Sequence, residues 1–347
     1  MRLSDTGSKA LDMAKVLLLM GVVLIHCNVV THHEVGSAMA AGIISYVSST
    51  FCGTLCVPSF FIISGYLFFL NTEGDKVKLF AGKLRKRVNT LLIPYILWCT
   101  IYGLVRIVKA KYLGFDGDGI VVDGEVSVTG FLRGYWDTGD GFPMGFALWY
   151  VRNLIVFSIL SPLVYIVGRR WYLSVAMILL CLIFETTLYG LLYFTIGAML
   201  SLHGIDVGKS LFRGSGIVAF LLYSVGMWWI AGSDIGTYSL VIMLVPVGFY
   251  SILRIVIDLE TRWRNRADAV LSVCKPSYFF VYCMHGMYST VLISIFAKLF
   301  GLQSFIGAMG CYVMSFVTNV TLSYLFYLIV KAVSPKVLGI LTGQRTA

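Results

Sequence analysis

The sequence predicts an all-α fold: a polytopic transmembrane helical bundle of about ten spans with both termini in the cytoplasm. Three observations predict it. The chain of 347 residues is 58% hydrophobic and only 13% charged, with a mean hydropathy of +0.86, which excludes an ordinary soluble domain. Its apolar residues gather in long runs separated by polar connections, as spans of a bilayer require. Most of the 27 lysines and arginines fall in alternate connections, the positive-inside pattern. The net charge of +10 therefore reads as a basic cytoplasmic face and not as nucleic-acid binding. The whole of 1–347 reads as one integral membrane domain with an outer loop at about 109–146.

The first run extends from about Leu11 to Val30. Ala38-Met39-Ala40 has the form of a signal cleavage site, but the run is too long for a signal segment and contains the polar His26 and Asn28. The second span covers Ile43 to Leu70, with Pro58 and Gly65 inside. Asn71 to Arg87 read as a basic loop carrying Lys76, Lys78, Lys83, Arg85, Lys86 and Arg87. The third span is Val88 to Val108 and the fourth is Ala147 to Val167, followed by the tight turn Gly168-Arg169-Arg170. Tyr172 to Glu185, Leu188 to Leu202 and Ile217 to Ile230 are shorter than the usual minimum of about 17 residues. Tyr238 to Ile257, Ser277 to Phe300 and Phe305 to Ala332 complete the set. No inverted repeat of the transporter kind is visible. Placing the N-terminus inside leaves only Arg106, Lys109, Lys111, Arg133 and Lys298 in outer segments, with Arg152 within a span. The outer loop carries Asp116, Asp118, Asp123, Glu125, Asp137 and Asp140 together with Tyr135, Trp136 and Phe142. That composition suits carbohydrate contact and equally suits an ordinary solvated loop. None of the eight cysteines forms a Cys-x-x-Cys pair, and most lie in apolar runs. They read as small buried hydrophobes, with no metal site.

The first span holds the most informative spacing. Lys15 and His26 are eleven residues apart, which at about 100° per residue places them on one helix face, about 16 Å apart along the axis. Asp12 precedes Lys15 by three residues, within reach of an ion pair. An imidazole inside a span is costly and points to function, although a structural histidine bonded to a neighbouring helix satisfies the same pattern. Arg152 enters the fourth span from the outer side, at a depth resembling that of His26.

Several segments resemble the acyltransferase-3 family of integral membrane proteins. Asp12-Met13-Ala14-Lys15 with His26 is similar to the family's basic residue, ten-residue gap and histidine. Val57-Pro58-Ser59-Phe60-Phe61-Ile62-Ile63-Ser64-Gly65-Tyr66 is similar to its Val-Pro-x-Phe-Phe-x-x-Ser-Gly-Phe segment. The basic run from Phe80 to Tyr95, Leu148-Trp149-Tyr150-Val151-Arg152-Asn153-Leu154 and Tyr282-Cys283-Met284-His285 follow in the family's order. There are departures. Lys15 stands where relatives carry arginine, so charge is kept and the bidentate fork is lost. Thr90 stands where a second arginine often follows Arg87, and Asn153 replaces an aspartate. No large soluble domain of the kind some relatives carry is appended.

The resemblance implies a bacterial O-acetyltransferase of the plasma (inner) membrane. Its acyl donor would be acetyl-CoA, with no metal. Its acceptor would be a hydroxyl of an envelope glycan or lipid-linked saccharide, and its other partner the lipid bilayer. His26 would be the base, since histidine titrates near neutral pH. Arg152 and Lys15 would complete the catalytic set. Lys15, Lys83, Arg85, Lys86 and Arg87 would hold the phosphates of the donor. The same basic loop is also explained by topology and anionic lipid. Trp149, Tyr282 and His285 would line the substrate site, with helix packing as the other reading of His285. Glu185 stays unassigned. A glycan or small-anion transporter, and a non-catalytic membrane sensor, would share these intramembrane charges and stay open.

Overall fold

The computed structural model describes residues 3–72, 75–114, 119–184, 189–209, 212, 214–231 and 237–344. Helix α1 (Asp5–His26) starts at a Ser4 cap, whose hydroxyl accepts the Gly7 N–H at 3.1 Å. It ends at His26, and the side chain of Asn28 accepts the Val30 N–H and opens a short 3₁₀ turn. Helix α2 (Ala38–Phe69) contains a π-helical stretch over Tyr46–Cys52. Helix α3 (Lys76–Tyr112) contains a second over Val88–Leu92. Such bulges insert a residue and re-aim side chains, frequently at functional sites.

Helices α4 (Trp149–Ile159) and α5 (Ser161–Arg169) are bent 73° from each other. Then come α6 (Trp171–Phe184), α7 (Tyr189–Leu202) and α8 (Ser215–Ala231). The long α9 (Thr237–Met284) gives way to a 3₁₀ turn over His285–Met287. Helices α10 (Ser289–Phe300), α11 (Phe305–Val333) and α12 (Pro335–Leu341) finish the chain. Among the described residues the one β pairing is a hairpin, Val121–Val122 against Glu125–Val126. Asp123 and Gly124 form its turn with positive φ, the chemistry an Asp-Gly hairpin turn needs.

The chain is all-helical, as expected, but the expected spans are redrawn. Among the described residues five helices are long and apolar enough to cross a membrane, or six if the bent α4–α5 pair is one span. The expected count of ten is not reached by helix length and composition, because α6, α7, α8 and α10 are too short. The basic segment expected as a loop is helical from Lys76 and continues without a break into the third span. The fourth span is broken at Leu160, ahead of Pro162. The expected span Ser277 to Phe300 is interrupted at His285.

Helix α9 folds back on itself at Trp263, where φ is −130° and ψ is 38°. Its first arm runs along α1, with Val256 and Ile257 against Ala10, and with Met13 and Ile252 packed against that cluster. Its second arm runs parallel to α1. Asp268 pairs with Lys9 at 2.7 Å, Lys275 pairs with Asp12 at 2.7 Å, and the rings of His285 and His26 meet at the far end. Lys9 also touches Glu260 at 4.0 Å, so one ammonium group bridges the two arms.

Helices α2 and α7 cross at backbone contact. A Cβ on Gly65 would lie 2.0 Å from the Phe194 carbonyl oxygen, and one on Gly197 would lie 2.0 Å from that of Ile62. Small residues permit this approach between apolar helices, where dispersion replaces the hydrophobic drive. The closure fixes α2 beside α1 and so sets the floor of the cavities described next.

Candidate active site

Two cavities begin at the end of the molecule that carries the basic half of α3. The larger, about 760 Å³, is lined by Lys83, Lys86, Arg87 and Thr90 of α3, by Phe68 and Leu70 at the end of α2, and by Gly343. Its volume lies in the range of about 300 to 1,000 Å³ common for small-molecule sites. The smaller, about 230 Å³, is lined by Lys15, Arg87, Ser64, Tyr150, Tyr278 and Tyr282 among others. Leu67 and Arg87 line both, so one wall is continuous from the basic surface to the interior.

The cations differ in their commitments. Lys83 donates to the carbonyl oxygens of Phe68 and Leu70, so it caps the C-terminal end of α2. Arg87 lies over the Phe68 ring at 5.3 Å. Lys86 is exposed at the cavity rim, and Arg85 is exposed but lines neither cavity. Lys15 bonds Asp12 at 2.9 Å, and the other oxygen of Asp12 holds Lys275. Lys15 therefore enters the smaller cavity with a fixed direction. The predicted stripe holds: Lys15 and His26 both face the second arm of α9, one beside the Tyr278–Tyr282 stretch and the other beside His285.

Beyond Tyr282 lies a pair of imidazoles. The rings of His26 and His285 have centres 5.0 Å apart and planes tilted by 49°. His26 also meets the edge of Phe146 at 5.4 Å. His285 is fully buried, and its Nδ1 lies 2.6 Å from the Tyr282 carbonyl oxygen. Its own carbonyl accepts from Ser289 at 2.6 Å and from the Asn319 amide at 3.1 Å. The Tyr282 hydroxyl donates to the Ala147 carbonyl, which ties α9 to the start of α4.

Arg152 is placed elsewhere. Its guanidinium donates to the carbonyls of Trp136 and Gly141, the latter at 3.0 Å, and lies 5.1 Å over the Trp136 ring. It lines neither of the two cavities and reaches the histidines only through the loop. Phe142 packs on Phe146 with ring centres 4.3 Å apart and planes tilted by 41°, and Phe146 meets His26. Asp137 folds the same loop by accepting the N–H groups of Gly139 and Gly141 at 2.7 and 2.8 Å. Those bonds hold its carboxyl below the usual carboxylate range.

Of the expected substrate contacts, Tyr282 lines the smaller cavity and His285 lies just past it. Trp149 instead packs against Phe61 at 6.1 Å. Its neighbour Tyr150 occupies the cavity wall, with its hydroxyl 2.8 Å from that of Ser64. Glu185, Asp116 and Asp118 lie outside the described residues. No group of three or more metal-ligating side chains occurs among the described residues. Sequence reasoning passed over Tyr150, Ser64 and Asn319. The first two stand inside quoted motifs, and Asn319 is an amide within a hydroxyl-rich stretch of the last long helix, between Ser315 and Ser323.

A family model described as an acyltransferase domain matches residues 8–328. The chain belongs to the acyltransferase-3 family. The match spans every element of both cavities and the histidine pair except the final residues at Gly343. No curated protein and no solved structure matches the chain. Family membership makes this a membrane acyltransferase, consistent with its long apolar helices.

Proposed function

We propose that this acyltransferase moves an acetyl group from acetyl-CoA to a hydroxyl of an envelope glycan or lipid-linked saccharide in the inner membrane of a bacterium. In this reading the basic end of the bundle is cytoplasmic and both termini lie there. The observation that carries it is the continuous wall through Leu67 and Arg87, joining the basic cavity to the one that ends at Tyr282. Lys86 and Arg87 meet the phosphates of the donor, and charge-assisted contacts there are worth about twice neutral ones. The narrower space past Lys15 suits an extended arm.

His26 acts as the base. The acceptor oxygen forms its bond to the thioester carbonyl carbon while His26 takes the hydroxyl proton. The carbon–sulfur bond then breaks, and the proton passes from the imidazolium to the departing thiolate. Atoms and charge balance without a metal or a further reactant. The loop from Trp136 to Phe146 roofs His26 on the acceptor side, and its aromatic rings suit a sugar face. The test is transfer of label from acetyl-CoA to isolated envelope glycans by purified protein in proteoliposomes. Label appearing on the glycan supports the reading. Donor binding with no acyl-group turnover would favour a sensor, and glycan translocation without acylation would favour a transporter.

A further inference from the structure

The buried imidazole of His285 packs against that of His26. Its Nδ1 faces a carbonyl oxygen at 2.6 Å. A carbonyl only accepts, so Nδ1 carries the proton and Nε2 presents a lone pair. That Nε2 is buried and has no hydrogen-bond partner. Leaving such a group unmet is costly in a dry interior, so a donor is expected at that site during function. The residue is also held rigidly. Ser289 and Asn319 both bond its carbonyl, and Asn319 bonds the Ser289 hydroxyl at 2.9 Å. The ring that it faces is His26, 5.0 Å away between centres. No carboxylate bonds His26 among the described residues, so the usual acidic orienter of a catalytic histidine is missing from its surroundings.

We propose that His285 is the positioning residue for His26, accepting the His26 N–H on Nε2 and so fixing the tautomer whose other nitrogen takes the acceptor proton. This rests on the reading of His26 as the base. The role is that of the orienting group in a catalytic triad, filled by a neutral imidazole. Ring centres 5.0 Å apart leave room for a hydrogen bond between one nitrogen of each ring once the rings turn toward each other. His285 keeps its Nδ1 proton on the Tyr282 carbonyl throughout. The proton taken from the acceptor hydroxyl rests on His26 alone until it passes to the thiolate sulfur. Tyr282 thereby links the wall of the donor cavity to the orientation of the base.

The experiment compares His285→Gln, His285→Leu, His26→Ala and the His26→Ala/His285→Leu double variant in acetyl transfer. Binding of a non-hydrolysable thioether analogue of acetyl-CoA reports that each variant is folded. Positioning predicts that His285→Leu loses about 100-fold in kcat with an unchanged KM for acetyl-CoA. It predicts that His285→Gln, whose amide oxygen accepts, regains at least a tenth of wild-type turnover. It also predicts that the double variant is no slower than His26→Ala, because groups acting as a unit are non-additive. Equal kcat for His285→Leu and wild type would overturn the proposal, as would additive losses in the double variant or failure of Gln to exceed Leu. If wild type itself transfers no acetyl group, the proposed function fails. If wild type transfers and His285→Leu does too, only the positioning role fails.

Discussion

His26 and Lys15 share one helix face, and the proposed reaction gives them different tasks. Removal of a general base lowers rate by about 10²- to 10⁴-fold. His26→Ala should therefore lose transfer to that extent while still binding the thioether analogue; wild-type turnover by that variant would make His26 structural. Lys15 enters the narrow cavity with Asp12 and Lys275 behind it. A hydrogen bond to a charged group is worth about 1.5–3 kcal/mol, or about ten- to a hundredfold in affinity. Lys15→Ala should raise the KM for acetyl-CoA by that factor, and Lys15→Arg should restore most of it. An unchanged KM in correctly inserted Lys15→Ala would reduce Lys15 to a topology signal. In the proposed reaction Arg152 acts at a distance, through the loop it holds. Arg152→Gln removes two charged bonds to loop carbonyls, so it should raise the KM for the glycan acceptor more than that for acetyl-CoA. Steady-state kinetics with each substrate varied in turn checks this.

At the scale of elements, the long apolar runs of α1, α2 and α11 were readable in the sequence, because hydropathy alone defines a span. The bend between α4 and α5 was not, since hydropathy carries no direction, although Pro162 marks the place. The basic segment read as a loop because its charge masked helical periodicity. In the structure Asp75 caps it by accepting the N–H groups of Val77 and Lys78. The direction of Arg152 was not legible, because the partners that hold it, Trp136 and Gly141, belong to a returning loop. The Lys15–His26 stripe was legible from spacing, whereas the approach of His285 to His26 depends on a fold-back at Trp263 that no local pattern announces. The α2–α7 crossing gives a test at this scale. Gly197→Val would drive a branched side chain into the Ile62 carbonyl. Overpacking of this kind costs about 1–3 kcal/mol, so the variant should show a lower thermal midpoint in detergent. A midpoint equal to wild type would mean that the two helices are not in backbone contact.

At the scale of the whole molecule, the proposed donor path has a basic mouth at Lys86 and Arg87 and an aromatic roof at Phe142 and Phe146. Its orientation is testable by single cysteine substitutions at two exposed positions, Lys86 and Glu125. An impermeant thiol reagent applied outside intact cells should label Glu125→Cys and spare Lys86→Cys; the opposite result, or labelling of both, would reverse or dissolve the proposed donor path. The central claim is that an acyl group crosses from that mouth to an acceptor under the loop. Its most direct measurement uses proteoliposomes whose Lys86 face is inside, loaded with acetyl-labelled acetyl-CoA and given glycan acceptor outside. The account predicts label on the external glycan with wild type and none with His26→Ala. Label that stays inside with wild type, in vesicles shown to hold the inserted protein, would contradict it.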